Sequence, residues 1–186
     1  MKRICLLAPA ALALCGVSTA AAASGINYDC DTAPDHFSVL ELPTGEGAFT
    51  VSGDVQLKAL AGSKKFAGIT RVQIASTAAP EGSPSAFAGF SLSALPADEA
   101  NTSPGAPGIQ TLSYNASGTN EDAMPRATLD PGAVEHFTIS YDGSNVAVDL
   151  GTTSKTFIVT MATPVLRIVC STGEFLFTNL TIEPHR

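Results

Sequence analysis

The 186-residue sequence contains no tryptophan, only three tyrosines and a small share, 15%, of charged residues. Tryptophan and tyrosine rings are the usual surfaces on which proteins stack sugar rings, so the composition offers little for an aromatic sugar-binding platform. Basic residues are also scarce: ten lysines and arginines stand against 17 acidic residues, for a net charge of −7. This balance excludes nucleic acid as a partner, because phosphates require a positive surface.

The linear motifs of common catalytic and phosphate-binding sites are absent as well. The sequence has no G-x-S-x-G, no S-x-x-K, no phosphate-binding loop and no G-x-G-x-x-G. Its three histidines, His36, His136 and His185, lie far apart and fit no metal-ligand spacing. His36 follows Asp35 and His136 follows Glu135, but consecutive strand residues point to opposite faces, so neither pair predicts an acid–base dyad. We therefore predict no catalytic residue, no metal site and no cofactor, and we favour a non-catalytic protein over an enzyme.

The first residues are "MKRICLLAPAALALCGVSTAAAAS". A basic start, an apolar stretch and a small-residue end are typical of a secretory signal peptide, which we assign to residues 1–23. Lipid attachment at Cys15 is the alternative, although Leu14 stands where a small residue is usual. No later apolar run is long enough for a membrane helix. We expect one exported domain over residues 24–186, in the periplasm or outside a bacterial cell.

Only four cysteines occur, and Cys5 and Cys15 belong to the predicted signal peptide. Cys30 and Cys170 remain, one near each end of the mature chain. In an oxidising compartment two such cysteines most simply form a disulfide. The bridge closes a loop of roughly 140 residues, for which the chain-entropy model gives about 4–5 kcal/mol of stabilisation.

Alternation of apolar and polar residues is the main structural signal. It is clearest in "AFTVSGDVQLKAL", which predicts a half-buried strand in which Gly53 marks a bulge, a bend or a close backbone approach. Less regular strands are predicted at 68–76, 86–94, 108–115 and 155–161. Residues 165–170 and 174–182 carry apolar side chains at both parities, which predicts two central strands covered on both faces, separated by the turn "CSTGE". Turn-rich segments lie between the runs, so we predict an all-β fold: a single antiparallel β-sandwich, jelly-roll-like, with about nine to eleven strands.

The stretch "HFTISYDGSNVAVDL" predicts a β-hairpin. If Asp142 and Gly143 are the two central residues of a type I′ turn, Tyr141 faces Ser144. A four-residue loop over 142–145 shifts the register by two and keeps the same side chains on each face. Turn geometry therefore accounts for the Asp-Gly pair. A calcium site there would need more oxygen ligands than the bend supplies.

Three stretches, "GAFTVSGDVQL", "HFTISYDGSNVAVDL" and "GEFLFTNLTI", together resemble the laminin-G and concanavalin A-like jelly-roll superfamily. The resemblance covers about a third of the chain and implies two curved sheets, with a glycan or a cell-surface protein as the partner. Glycosidases of the superfamily carry a Glu-x-Asp-x-x-Glu pattern, which this sequence lacks. We expect an exported, non-catalytic protein that acts by surface recognition or as a structural envelope component. A carbohydrate-active enzyme or a glycan-binding module on this scaffold is the alternative.

The segment "NASGTNEDAMPRATLDPG", residues 115–132, is longer than a hairpin needs. Loops of this length in compact domains are usually functional or disordered. Tyr114, beside it, is the best candidate for an exposed aromatic side chain. One hypothesis is a ligand site or a weak calcium site bordered by Tyr114, Asn120, Glu121, Asp122 and Asp130. The other is a mobile solvated loop.

Overall fold

The computed structural model describes residues 25–63, 65–77, 84–95, 109–118, 127–130 and 132–185. Ten antiparallel β-strands are formed there: β1 (Ile26–Pro43), β2 (Phe49–Leu60), β3 (Gly68–Ser76), β4 (Phe87–Leu95), β5 (Ile109–Ala116), β6 (Ala127–Leu129), β7 (Val134–Tyr141), β8 (Asn145–Leu150), β9 (Thr153–Ile158) and β10 (Pro164–Pro184). The described part of the chain contains no helix that could cross a membrane. The predicted signal peptide lies outside the described residues.

The strands form one hydrogen-bonded sheet in the order β6-β5-β4-β3-β10-β2-β7-β8-β9, with β1 also paired to β10. Residues 164–171 of β10 pair with β3, whereas residues 173–184 pair with β2. Along its other edge, β10 pairs with β1 over both parts. We call the β3–β6 side, with the start of β10 and the end of β1, the first sheet. The β2 and β7–β9 side, with the end of β10 and the start of β1, is the second sheet.

The two sheets pack face to face. The ring of Phe90 in β4 lies 5.4 Å from that of Phe137 in β7, and the hydroxyl of Tyr114 in β5 lies 2.8 Å from the Thr153 hydroxyl in β9. The predicted all-β antiparallel sandwich is therefore confirmed.

The sheet folds over at the middle of the β1–β10 pair. Thr172 of β10 has a φ of 56°, and Asp35 of β1 has a φ of 64° beside a shift in register. The predicted turn at "CSTGE" is wrong, because Ser171 and Gly173 stay paired to neighbouring strands on both edges. Pairing satisfies the backbone groups that a turn would release, so these turn-prone residues bend one strand instead of ending it.

The disulfide lies at this corner and confirms the predicted pairing of Cys30 with Cys170. Cys30 belongs to the second-sheet part of β1 and Cys170 to the first-sheet part of β10, and both are buried. Their Cα atoms are 6.3 Å apart. The hydroxyl of the partly buried Tyr28, which packs against the core, lies 3.2 Å from Cys30 Sγ. The bridge therefore joins the two sheets where the chain passes from one to the other.

The predicted strand around Gly53 is β2, and its alternation sets the core. Phe49, Val51 and Val55 are fully buried between the sheets. A Cβ on Gly53 would lie 2.6 Å from Leu180 Cδ2 and 3.2 Å from Phe137 Cζ. These close atoms belong to side chains, so the predicted close backbone approach is wrong. The register of β2 with β10 shifts opposite Gly53, between Thr178 and Thr181, which agrees with the predicted bulge.

The hairpin of β7 and β8 uses the four-residue loop. Tyr141 pairs with Val146 and Ile139 with Val148, so the two-residue type I′ register is wrong and the alternative register is the observed one. Oδ1 of Asp142 accepts hydrogen bonds from the backbone N–H groups of Ser144 and Asn145, at 2.8 and 2.7 Å. These bonds stabilise the wider loop and hold the pKa of the Asp142 carboxyl well below its ordinary value, the Asn145 side-chain amide being the largest cause.

Two strands fall outside the sequence predictions. β1 carries Pro34 and several exposed polar residues, and it is paired along one edge only, so its side chains show little apolar alternation. β6 lies inside the segment predicted as a loop and pairs with β5 over three residues. The predicted full cover of β10 on both faces is also wrong, since Val165 and Val169, at its outward parity, are only half-buried.

Candidate functional site

Of the five residues predicted to border a ligand site, the structure describes Tyr114 and Asp130. Tyr114 is 2% exposed and its hydroxyl reaches Thr153 across the core, so its predicted exposure is wrong. Its alternation with Leu112 on β5 turns the ring inward. Asp130 is exposed just after β6. Asn120, Glu121 and Asp122 lie outside the described residues, and the ligand or calcium site at this segment stays a prediction.

A different set of polar residues lies side by side on the outer face of the first sheet. Strand register places them at matching positions in β1, β10, β3, β4 and β5. We call this set the polar row: Glu41, Arg167, Gln73, Gly89 and Asn115. Because neighbouring strands are about 4.8 Å apart, the row is about 19 Å long.

Gln73 and Asn115 form the centre of the polar row. Gln73 Nε2 donates a hydrogen bond to Asn115 Oδ1 at 2.6 Å, although β4 lies between their strands. Gly89 separates the two amides, and a Cβ there would collide with the carbonyl oxygen of Val72. Glycine therefore allows β3 and β4 to approach closely and leaves space for the amides to meet. Gln73 is only 5% exposed, which is unusual for an outward-facing polar side chain.

Two arginines lie at the other end of this face. Arg167 Nη1 is 2.8 Å from Glu41 Oε1, in an ion pair whose side chains are 14% and 31% exposed. Arg71 is exposed on β3, between Val169 of β10 and Ser91 of β4. Arg71 and Arg167 are thus diagonal neighbours, a separation that long side chains span.

Small hydroxyl side chains and one aromatic ring complete the outer face of the first sheet. Strand alternation points these hydroxyls outward: Ser91, Ser93, Thr111, Ser113 and Ser171. Phe37 of β1, 74% exposed, pairs with Ser171 at the edge of the same face. The face therefore combines amides, hydroxyls, guanidinium groups and an exposed ring, a set that suits a polar ligand with apolar patches.

The outer face of the second sheet has a different polar centre. Asp54 Oδ1 lies 2.9 Å from His136 Nδ1, and its Oδ2 accepts a hydrogen bond from Asn179 Nδ2 at 2.8 Å. The Asn179 amide, followed by His136, holds the pKa of the Asp54 carboxyl below its ordinary value. Among the described residues, no group of three or more His, Cys, Asp or Glu side chains is placed to hold a metal ion.

Sequence reasoning missed the polar row. Carboxylates, histidines and aromatic residues are the usual markers of chemistry in a sequence, whereas the row is built mainly from amides and arginine. A signal was present: Arg71 and Gln73 interrupt "GITRVQIAS", and Arg167 interrupts "VLRIVC", at the parity opposite to the core residues.

Comparisons with known proteins support the fold. No protein-family model matches the chain, and no relative was found among curated proteins. A structure of scytalido-glutamic peptidase with a transition state analogue inhibitor is similar with a TM-score of 0.53 and 15% identity over 80% of each chain. A polysaccharide lyase of family 18 is similar with a TM-score of 0.51 and 12% identity, over 86% of this chain and 96% of that one. An alginate lyase from Alteromonas sp. 272 has a TM-score of 0.50 and 12% identity, over 75% and 73%.

At these identities the likeness establishes the architecture alone. The protein has an all-β, antiparallel, jelly-roll-like β-sandwich fold, as the sequence predicts. Membership of the laminin-G and concanavalin A-like superfamily stays a prediction.

Proposed function

We propose that the protein is an exported, non-catalytic recognition protein that binds a glycan across the outer face of the first sheet. The observation that carries this proposal is the polar row, in which the nearly buried Gln73 is held by Asn115 on the solvent side of a sheet. An amide fixed by a neighbouring amide is pre-organised for hydrogen bonding, which lowers the entropy cost of binding a hydroxyl-rich ligand.

The extent and chemistry of the face favour an oligosaccharide. A row about 19 Å long is larger than one sugar ring. The hydroxyl groups of Ser93 and Ser113 bond to no described residue and can donate and accept hydrogen bonds, and the exposed ring of Phe37 offers a stacking surface at the edge of the face. Two of the similar structures are named as an alginate lyase and a polysaccharide lyase, which supports a sugar polymer as the ligand class.

The carboxylates of the face support binding over hydrolysis. Glu41 is the one outward-facing carboxylate among the described residues of the first sheet, and it is paired with Arg167. Glycoside hydrolysis ordinarily requires two carboxyl groups about 5–9.5 Å apart. A carbohydrate-active enzyme is the alternative, and it predicts shortened products.

Export is supported by the disulfide. Bonds such as Cys30–Cys170 persist in the periplasm and outside the cell and are rare in a reducing cytosol. The signal peptide over residues 1–23 is part of the proposal, and sequencing the N-terminus of the protein after expression of the full chain tests it.

The proposed function is tested by a glycan array followed by calorimetry on the protein obtained from the full chain. Gln73→Ala and Asn115→Ala should each weaken binding of an array hit by about three- to tenfold, as expected for one lost hydrogen bond. Thr156→Ala, on the outer face of the second sheet, is the matched control and should bind as the wild type does. Absence of any glycan binding would refute the proposal, and shortened products from a polysaccharide panel would support the enzyme instead.

A further inference from the structure

The outward-facing charges of the two sheets differ in sign. On the first sheet the described charged side chains are Arg71, Arg167 and Glu41. On the second sheet Lys58 stands with six outward-facing carboxylates: Asp29, Asp31, Asp54, Asp149, Glu174 and Glu183. A chain of net charge −7 thus places two neighbouring arginines on the face that carries the polar row.

The guanidinium of Arg71 has free hydrogen-bonding capacity. It is exposed, and no described residue forms an ion pair or a hydrogen bond with it. Arg167 donates to Glu41 through Nη1, and a guanidinium has five N–H donors in a planar fork. Because Arg71 and Arg167 are diagonal neighbours, both guanidinium groups lie on the same side of the sheet, next to Gln73.

We propose that the ligand of this face is an anionic glycan, whose carboxylate or sulfate groups are bound by Arg71 and Arg167. This inference rests on the proposed function and adds the charge of the ligand to it. Arginine pairs with planar carboxylates and with sulfate through two parallel hydrogen bonds, whereas neutral sugars offer only hydroxyl groups. The acidic second sheet repels the same polymer, so the ligand is confined to one face of the sandwich.

The test uses three probes in calorimetry: an oligogalacturonate, the same oligosaccharide after reduction of its carboxyl groups, and a sulfated galactan oligosaccharide. We expect binding of an anionic probe that weakens as salt is added, with the reduced probe at least tenfold weaker. Tight binding of the oligogalacturonate identifies carboxylate as the recognised group, and tight binding of the galactan identifies sulfate.

Arginine variants then locate the charge effect. Arg71→Gln should weaken binding of the anionic probe about tenfold or more, and Arg71→Lys should restore only part of the loss because lysine cannot bind bidentately. Glu41→Gln should tighten binding, since it releases Arg167 from its ion pair. The double variant Glu41→Gln/Arg167→Gln should lose that gain without leaving an unpaired carboxylate. Lys58→Gln removes one positive charge from the other sheet and is the matched control.

Three outcomes would overturn the inference. If the reduced probe binds as tightly as the acidic one and Gln73→Ala still weakens it, the charge inference fails while the proposed function stands. If Lys58→Gln weakens binding as much as Arg71→Gln, the effect is the overall charge and not this face. If none of the probes or array glycans binds to the wild type, the proposed function and the inference fail together. Melting temperatures of each variant near the wild-type value exclude unfolding as the cause.

Discussion

On the outer face of the second sheet, polar side chains bond mainly to one another. Thr50 Oγ1 lies 2.9 Å from Ser140 Oγ, and Ser52 Oγ lies 2.8 Å from Thr181 Oγ1. On the outer face of the first sheet, Arg71 forms no bond to a described residue. The first face also contains bonded pairs, Gln73 with Asn115 and Arg167 with Glu41, so the difference between the faces lies in the exposed guanidinium of Arg71, whose donors are left for a ligand.

The largest expected effect comes from the bond that joins the two sheets. Cys170→Ser should lower the free energy of unfolding by about 2–5 kcal/mol, because it releases a loop of 140 residues in the unfolded chain. Denaturant unfolding of the oxidised wild type and the variant measures the difference. Cys30→Ser is the matched control and should cost nearly the same. A variant as stable as the wild type would show that packing alone holds the two sheets together.

Gly89→Ala should damage the first face selectively. Its new Cβ meets the backbone of β3, which cannot move aside as a side chain can, so we expect a loss of about 1–3 kcal/mol. Gly53→Ala is the comparison in the second sheet, where the nearest obstacle is the end of the Leu180 side chain and not backbone, so it should cost less. Chemical denaturation of both variants checks the order, and a reversed order would contradict the close approach of β3 and β4.

Removing one hydroxyl group from each outer face should affect stability differently on the two faces. Ser52→Ala removes a cross-strand hydrogen bond to Thr181 and should cost about 0.5–1.5 kcal/mol. Ser91 of the first face is only 8% exposed, but its hydroxyl bonds to no described residue, so Ser91→Ala should change stability by less than about 0.5 kcal/mol. A double-mutant cycle with Thr181→Ala isolates the pair energy. Equal effects at Ser52 and Ser91 would remove the distinction between the faces.

The smallest effect concerns acid titration of the second face. Asp54 should titrate below the ordinary aspartate pKa of about 3.9, and Asn179→Gly should raise its pKa more than His136→Ala does. Glycine is chosen because Asn179 has a φ of 55°. Because the folded pKa is the lower one, this carboxylate stabilises the fold above the ordinary pKa and loses that contribution as the pH falls through the folded pKa. Carboxyl NMR titration measures both shifts, and unchanged values in Asn179→Gly would exclude the amide as the main cause.

Much of the core could be predicted from the sequence because burial follows local alternation. A period of two predicts the strands β2 and β3 and the hairpin of β7 and β8. The same period predicts that the side chains of Phe49 and Val51 point into the core. The Cys30–Cys170 bridge followed from the count of cysteines in the mature chain. Tyr114 failed the prediction because its neighbours in the sequence suggested a loop, whereas its parity on β5 turns it into the core.

The polar row could not be predicted in the same way. Gln73 and Asn115 are 42 residues apart, and Glu41 and Arg167 are 126 apart, so no local pattern places them together. Their adjacency depends on strand order and register, which are set by long-range pairing along β10. The need for glycine at position 89 could not be predicted either, because it arises from the close approach of β3, whose backbone excludes a side chain there.

The sequence by itself determined the all-β class, the inward residues of most strands, the disulfide partners and the scarcity of basic and aromatic groups. The tertiary structure alone decided that β10 is one bent strand shared by two sheets, and that both outward-facing arginines lie on one face while most outward-facing carboxylates lie on the other. The physical reason is range: alternation and turn chemistry act over a few residues, whereas a surface is assembled from strands that are distant in the chain and paired only after folding.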